Sequence, residues 1–213
     1  MKIKIDRLIP KPLETFGFDD SMIWDKTYEF EKENHYQIIA PSGVGKSTLI
    51  NILYGIRKDY TGRVWFDEQD IRDFSVSRWT HERNTRLAYV FQGLHLFEEL
   101  TLMENILLKN NLTNFSTKEK IENWIDRVGL SKHLYQKAAH LSYGQRQRIA
   151  VVRALCQPFD FLLLDEPFSH LDTENSQVLL DIIFEESLQQ NAGIILTTLH
   201  PINDKRIQHA VTL

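Results

Sequence analysis

Ala40-Pro41-Ser42-Gly43-Val44-Gly45-Lys46-Ser47-Thr48 follows a short, apolar, β-prone run, Tyr36-Gln37-Ile38-Ile39. It precedes Leu49, Ile52, Leu53 and Ile56, which recur at helical spacing until Gly55 punctuates the pattern. A buried strand, a glycine-bearing turn and a helix in that order read as a phosphate-binding loop. Gly43 and Gly45 let successive backbone N–H groups curl around an anion without Cβ clashes, and the helix N-terminus adds partial positive charge. In such a loop Lys46 reaches the β- and γ-phosphates and the Ser47 hydroxyl ligates Mg²⁺. Ala40 stands where a glycine usually opens the pattern. An alanine at a strand end with negative φ changes the entry to the loop without removing its grip.

The wider chain supports a domain built on that unit. Its 213 residues can bury about 70% of the surface the unfolded chain exposes. The single cysteine, Cys156, cannot form an internal disulfide, and it shares a helix face with Ile149 and Val152, as a buried thiol in a reducing compartment would. Eight histidines are scattered without Cys/His pairs at ligand spacing, which leaves no case for zinc. The net charge of −4 is interleaved along the chain and gives no electrostatic footprint for nucleic acid. No segment approaches the ~20 apolar residues needed to cross a bilayer, and the N-terminus lacks a signal-peptide core.

Residues 1 to about 91 read mainly as strands, at 16–18, 27–30, 36–40, 63–66 and 87–91, interrupted by the loop helix and a segment at 75–84. From 101 to 156 the pattern is helical, with segments 101–108, 116–128 and 145–156. An α/β rhythm returns with a strand at 161–164, a helix at 173–190 and a strand at 194–197. Such continuous apolar runs suit parallel strands covered on both faces. The fold class expected is α/β, with a helical insert.

Phe161-Leu162-Leu163-Leu164-Asp165-Glu166 is a buried strand ending in two carboxylates at the edge where an open α/β sheet presents its ligand site. Adjacent carboxylates there point in different directions, so one can hold Mg²⁺ while the other polarises an attacking water. About twenty residues upstream lies Leu141-Ser142-Tyr143-Gly144-Gln145-Arg146-Gln147-Arg148. With the phosphate loop, this segment resembles the signature of ATP-binding-cassette (ABC) ATPases, and the motifs stand in that family's order. Gln92 is similar to the family's hinge glutamine. Ser169-His170-Leu171-Asp172 is similar to the loop that crosses to a partner subunit, and His200 to the switch histidine. The resemblance runs from about residue 36 to 200.

It implies a P-loop NTPase core with an antiparallel β subdomain and a helical insert, as one cassette over 1–213. Residues 1–92 with 158–213 would form the core and β subdomain, and 93–157 the helical subdomain. It implies ATP and Mg²⁺ as ligands. Ser42, Gly43, Val44, Gly45, Lys46, Ser47 and Thr48 would hold the phosphates, and Ser47, Gln92 and Asp165 the metal. Glu166 would be the general base, with Gln92 and His200 completing the catalytic set. Two cassettes pack head to tail in that family, so Ser142, Gly144 and Gln145 would close over ATP held by the second copy, a homodimer being expected over a heterodimer. Tyr143 departs from the glycine common at the third signature position. The adenine would stack on an aromatic such as Phe16, Phe18 or Trp24.

With no spanning segment and no extension after about residue 205, the chain resembles the separate ATPase subunit of a transporter. It would be cytoplasmic and held at the inner face of the membrane through an integral membrane subunit, with no nucleic-acid partner. Residues 91–105 are similar to those of the lipoprotein-releasing, macrolide-exporting and cell-division group of cassettes. Leu94, Leu96, Phe97 and Met103 would then include an exposed apolar contact for the membrane subunit. The alternatives are a nucleotide-gated subunit that hydrolyses poorly, and a non-transport ABC ATPase acting on nucleic acid or ribosomes.

Overall fold

The apolar runs around Ile38, Leu163 and Ile195 lie side by side in one sheet, which fixes the position of the loop that follows the first of them. The computed structural model describes residues 1–15 and 17–213. In chain order the first elements are β1 (Lys2–Pro10), β2 (Thr27–Glu31), β3 (His35–Ile39), α1 (Lys46–Leu53), β4 (Tyr60–Phe66), β5 (Gln69–Asp70), α2 (Val76–Thr85) and β6 (Leu87–Val90). There follow α3 (Leu102–Asn110), α4 (Lys118–Arg127), α5 (Tyr143–Leu155), β7 (Phe161–Asp165), α6 (Thr173–Gln190), β8 (Gly193–Thr198) and β9 (His209–Thr212).

The larger sheet runs β6-β7-β8-β3-β9 and its pairings are parallel. Successive side chains alternate between two cores, as strand geometry requires. Leu87, Tyr89, Phe161, Leu163 and Ile195 face α1 and the smaller sheet. Ala88, Val90, Leu162, Leu164, Ile194 and Leu196 face the core built with α3, α4, α5 and α6. Burial on both faces explains why these strands read as unbroken apolar runs. The smaller sheet is antiparallel, in the order β2-β1-β4-β5. Helices α3 and α4 pack on α5, which itself lies against β6 and α6. A parallel core, an antiparallel layer and a helical insert are the architecture expected.

Several elements differ from the sequence expectations. Strand β1 is absent from them: Ile3 and Ile5 alternate inward, but a bulge between Asp6 and Ile9 breaks the register and hides the period. β9 lies beyond the last motif and buries only Val211. The strand expected at 16–18 does not form at Gly17 and Phe18, and Phe16 lies outside the described residues. Helix α1 ends at Leu53, and Ile56 is exposed. Its end follows from Gly55, whose φ is +74° and where a Cβ would lie 2.4 Å from the Trp79 ring. Cys156 is buried; its thiol donates to the Val152 carbonyl at 3.2 Å and burial pushes it up to about 12. No helix among the described residues is long and apolar enough to cross a membrane.

Gly62 carries a test of how the two layers are joined. It has φ +77°, and a Cβ there would sit 2.0 Å from the Arg7 carbonyl oxygen, where β4 crosses the β1 bulge. Gly62→Ala combines a disfavoured φ with a backbone clash, so the expected loss is about 2–4 kcal/mol. A lower urea midpoint at unchanged slope checks it.

Candidate active site

The loop is built from β3 outward. Ala40 extends the strand far enough to donate its N–H to the Thr198 carbonyl at 3.2 Å, and its φ stays outside the left-handed region, as the unusual loop entry requires. Gly43 and Gly45 do enter that region, at +88° and +107°. Gly45 is the N-cap of α1 and no side chain caps this end, so the first-turn N–H groups remain available to an anion. A Cβ on Gly45 would lie 2.6 Å from Leu13 Cδ1 and 2.9 Å from Trp24 Cζ2. Trp24 supports the loop from beneath: it is buried and its indole N–H donates to the Val44 carbonyl at 3.2 Å. That makes Trp24 a buttress. Of the other aromatic residues considered for the base, Phe18 lines a hollow of about 280 Å³ with Val44, Asp19 and Leu213. Phe16 lies outside the described residues.

Lys46 turns inward, 5% exposed. Its ammonium lies 2.8 Å from the Ala40 carbonyl, 3.0 Å from that of Pro41 and 3.1 Å from Glu166 Oε1. Glu166 follows the end of β7 with φ +49°, a conformation that costs of order 1–3 kcal/mol for a residue with a side chain. Neighbours enforce it. The Glu166 N–H donates to Thr197 Oγ1 at 3.1 Å, and its carbonyl accepts from Gln147 Nε2 at 3.2 Å. The turn sends Glu166 toward Lys46 and leaves Asp165 buried in the sheet. Asp165 Oδ1 accepts from Thr197 Oγ1 at 2.8 Å. Burial pushes the Asp165 carboxyl above its ordinary value, with the Ser47 and Thr197 hydroxyls holding it partly down.

Gln92 lies just past β6 with its Oε1 3.5 Å from Ser47 Oγ. A cleft of about 290 Å³ is lined by Ser42, Gly43, Gly45, Lys46, Ser47, Thr48, Gln92 and Glu166. Ser47, Gln92 and Asp165 offer oxygen donors only, a set that fits a hard cation such as Mg²⁺. Val44 faces the neighbouring hollow beside Phe18. His200 is exposed and lines a separate hollow of about 540 Å³ that Glu166 also lines, so Glu166 stands between the two spaces.

Ser142, Gly144 and Gln145 line neither space. They form the N-terminus of α5, where Ser142 Oγ accepts from the Gln145 N–H at 3.3 Å and Gln145 Oε1 accepts from the Ser142 N–H at 2.8 Å. The Gln145 amide thus caps its own helix. Gly144 packs close against the 169–172 loop: a Cβ would lie 3.2 Å from the His170 carbonyl. Thr197 and Gln147 are site residues that motif reading passes over. Thr197 had a signal, as a polar residue closing an apolar strand in register with Asp165.

The family model described as ABC transporter matches residues 25–169. The chain belongs to the ABC transporter family. As an ABC cassette it is an ATP-binding ATPase. It is similar to the lipoprotein-releasing system ATP-binding protein LolD of Saccharophagus degradans, 37% identical over 173 residues, covering 80% of this chain and 76% of the relative. It is also similar to the phosphonates import ATP-binding protein PhnC of Fusobacterium nucleatum, 33% identical over 198 residues, covering 86% and 78%. Among solved structures it shares its fold with the ATP-binding cassette MJ0796 in a dimeric post-hydrolysis state bound to ADP and Pi. The TM-score is 0.78 at 24% identity, covering 94% of this chain and 89% of that one.

Proposed function

We propose that this ABC cassette is the motor subunit of a membrane transport system, which dimerises on ATP and hydrolyses it in the Lys46 cleft. The observation that carries this reading is the 3.1 Å approach of Glu166 to Lys46 at a cleft whose other walls are loop amides and oxygen donors. The N–H groups of residues 42–48 and the Lys46 ammonium hold the phosphates, and phosphate oxygens compete with Glu166 for that ammonium. The carboxylate thus released takes the proton of a water aligned for in-line attack. Ser47, Gln92 and Asp165 would hold Mg²⁺, which would supply positive charge to offset that of the phosphates. His200, across Glu166 from Lys46, contacts the γ-phosphate.

Ser142, Gly144 and Gln145 lie outside the chain's own cleft, so they act on the nucleotide of a second cassette, in a homodimer. The helix N-terminus they form favours an anion there. Residues 93–157 form a helical subdomain on the body formed by 1–92 and 158–213. No nucleic acid takes part.

The likeness to relatives named for lipoprotein release and phosphonate import supports a role at a membrane, and we assign this chain to the lipoprotein-releasing group, on the cytoplasmic face. Phe97 is the anchor to the membrane subunit. It is 59% exposed, and Asn105 fixes its backbone from both sides, accepting from the Phe97 N–H at 2.8 Å and donating to its carbonyl at 3.0 Å. Such a pre-ordered aromatic loses little entropy on docking. Of the other three residues in the set expected to include an exposed contact, Leu94 is buried at 4%, and Leu96 and Met103 pack partly against the helical core.

The test is ATP turnover of the isolated chain and of the chain reconstituted with its membrane subunit. Phe97→Asp is expected to keep the turnover of the isolated chain and to bind the subunit about tenfold more weakly. A native chain that binds ATP yet stays inactive with the subunit present would overturn the reading.

A further inference from the structure

Position 143 is the first helical residue of α5, directly after the Ser142 cap. Its phenol O–H donates to the Gln92 carbonyl at 2.8 Å, across a separation of 51 residues. The ring stands edge-on to His170, with centroids 4.3 Å apart, and the Arg146 guanidinium lies 5.7 Å from its centre. Gln92 needs such an anchor. It lies past the end of β6, so no strand ladder fixes it, and its side chain is the one that approaches Ser47. Further along α5, Arg153 donates to the carbonyls of Leu94 at 2.6 Å and His95 at 2.7 Å, whose φ values are +59° and +48°. Helix α5 therefore grips the 92–95 segment at both ends, and Tyr143 is the grip on the residue that faces the cation donors. A glycine at this position could not supply it.

We infer that Tyr143 is a positioning residue for Gln92, and that its phenol ties the α5 N-terminus to the cation site of the chain's own nucleotide. The inference rests on the reading that Gln92 and Ser47 hold Mg²⁺. In a head-to-tail dimer the α5 N-terminus meets the nucleotide on the second cassette. One side chain then links closure over the second nucleotide to the metal ligand set of the first.

The experiment is a Mg²⁺ titration of the binding of a fluorescent ATP analogue to the isolated full chain, with affinity in EDTA as the reference. It requires no turnover. Tyr143→Phe keeps the ring against His170 and removes only the O–H. Its EDTA affinity is expected to match the native chain within about twofold, while the Mg²⁺ concentration for half-maximal enhancement rises about two- to tenfold, the scale of one neutral hydrogen bond. In a Gln92→Ala background the same substitution is expected to add nothing, because the two residues act as one unit. If Gln92→Ala raises the Mg²⁺ midpoint and Tyr143→Phe does not, the positioning role is overturned while the metal assignment stands. If Gln92→Ala also leaves the midpoint unchanged, the metal assignment itself falls and the inference falls with it. An additive effect in the double variant would show Tyr143 acting elsewhere, which also overturns the inference.

Discussion

Glu166→Gln is expected to lower ATP turnover by about 10²–10⁴-fold, the contribution typical of a positioned general base. The amide keeps the shape of the side chain and its place after β7, so the enforced turn, held by Thr197 and Gln147, is retained. It cannot take a proton from water. It also removes a negative charge 3.1 Å from Lys46, beside the cleft that phosphates enter, so ATP affinity is expected to hold or rise. Size-exclusion chromatography in ATP should then find the variant as a stable ATP-bound dimer while the native chain turns over. A native chain that is itself inactive and accumulates as that dimer would instead favour the poorly hydrolysing alternative.

Lys46→Met is expected to weaken nucleotide binding by about 10- to 150-fold, the equivalent of one charge-assisted hydrogen bond of about 1.5–3 kcal/mol. Methionine keeps an apolar stem of similar reach in the buried channel, so the measured loss reports the charge. The Ala40 and Pro41 carbonyls lose their donor, and Glu166 loses its counter-ion at the cleft wall. That unpaired carboxylate then repels phosphate, which deepens the loss. Isothermal titration calorimetry with ATP gives the ratio directly. Unchanged affinity would mean the loop is not the phosphate grip.

The motifs legible in the sequence were those whose chemistry is contiguous. A helix N-terminus after paired glycines, or carboxylates at the end of an apolar strand, can be recognised without knowing what packs beside them. Most elements carrying the site follow the same rule, since strands buried on both faces and helices with clear caps announce themselves. Strand β1 did not, because the bulge at Arg7 shifts its inward residues out of phase. Which of Leu94, Leu96, Phe97 and Met103 stays exposed is not legible for a related reason. Exposure in a loop depends on how its backbone turns, and at Leu94 a left-handed φ, with Arg153 bonded to its carbonyl and to that of His95, accompanies a buried side chain.

Sequence alone determined that this chain carries a glycine-bearing strand–loop–helix unit of the phosphate-binding kind and a carboxylate pair at the sheet edge, because these depend on neighbours in the chain and on backbone freedom at named glycines. Only the tertiary structure decided which carboxylate faces Lys46, that Thr197 locks the pair across 32 residues, and that Tyr143 reaches Gln92 across 51. Those assignments rest on strand order and helix packing. They place hydrogen-bonding groups within 3 Å of each other that no local pattern of residues connects.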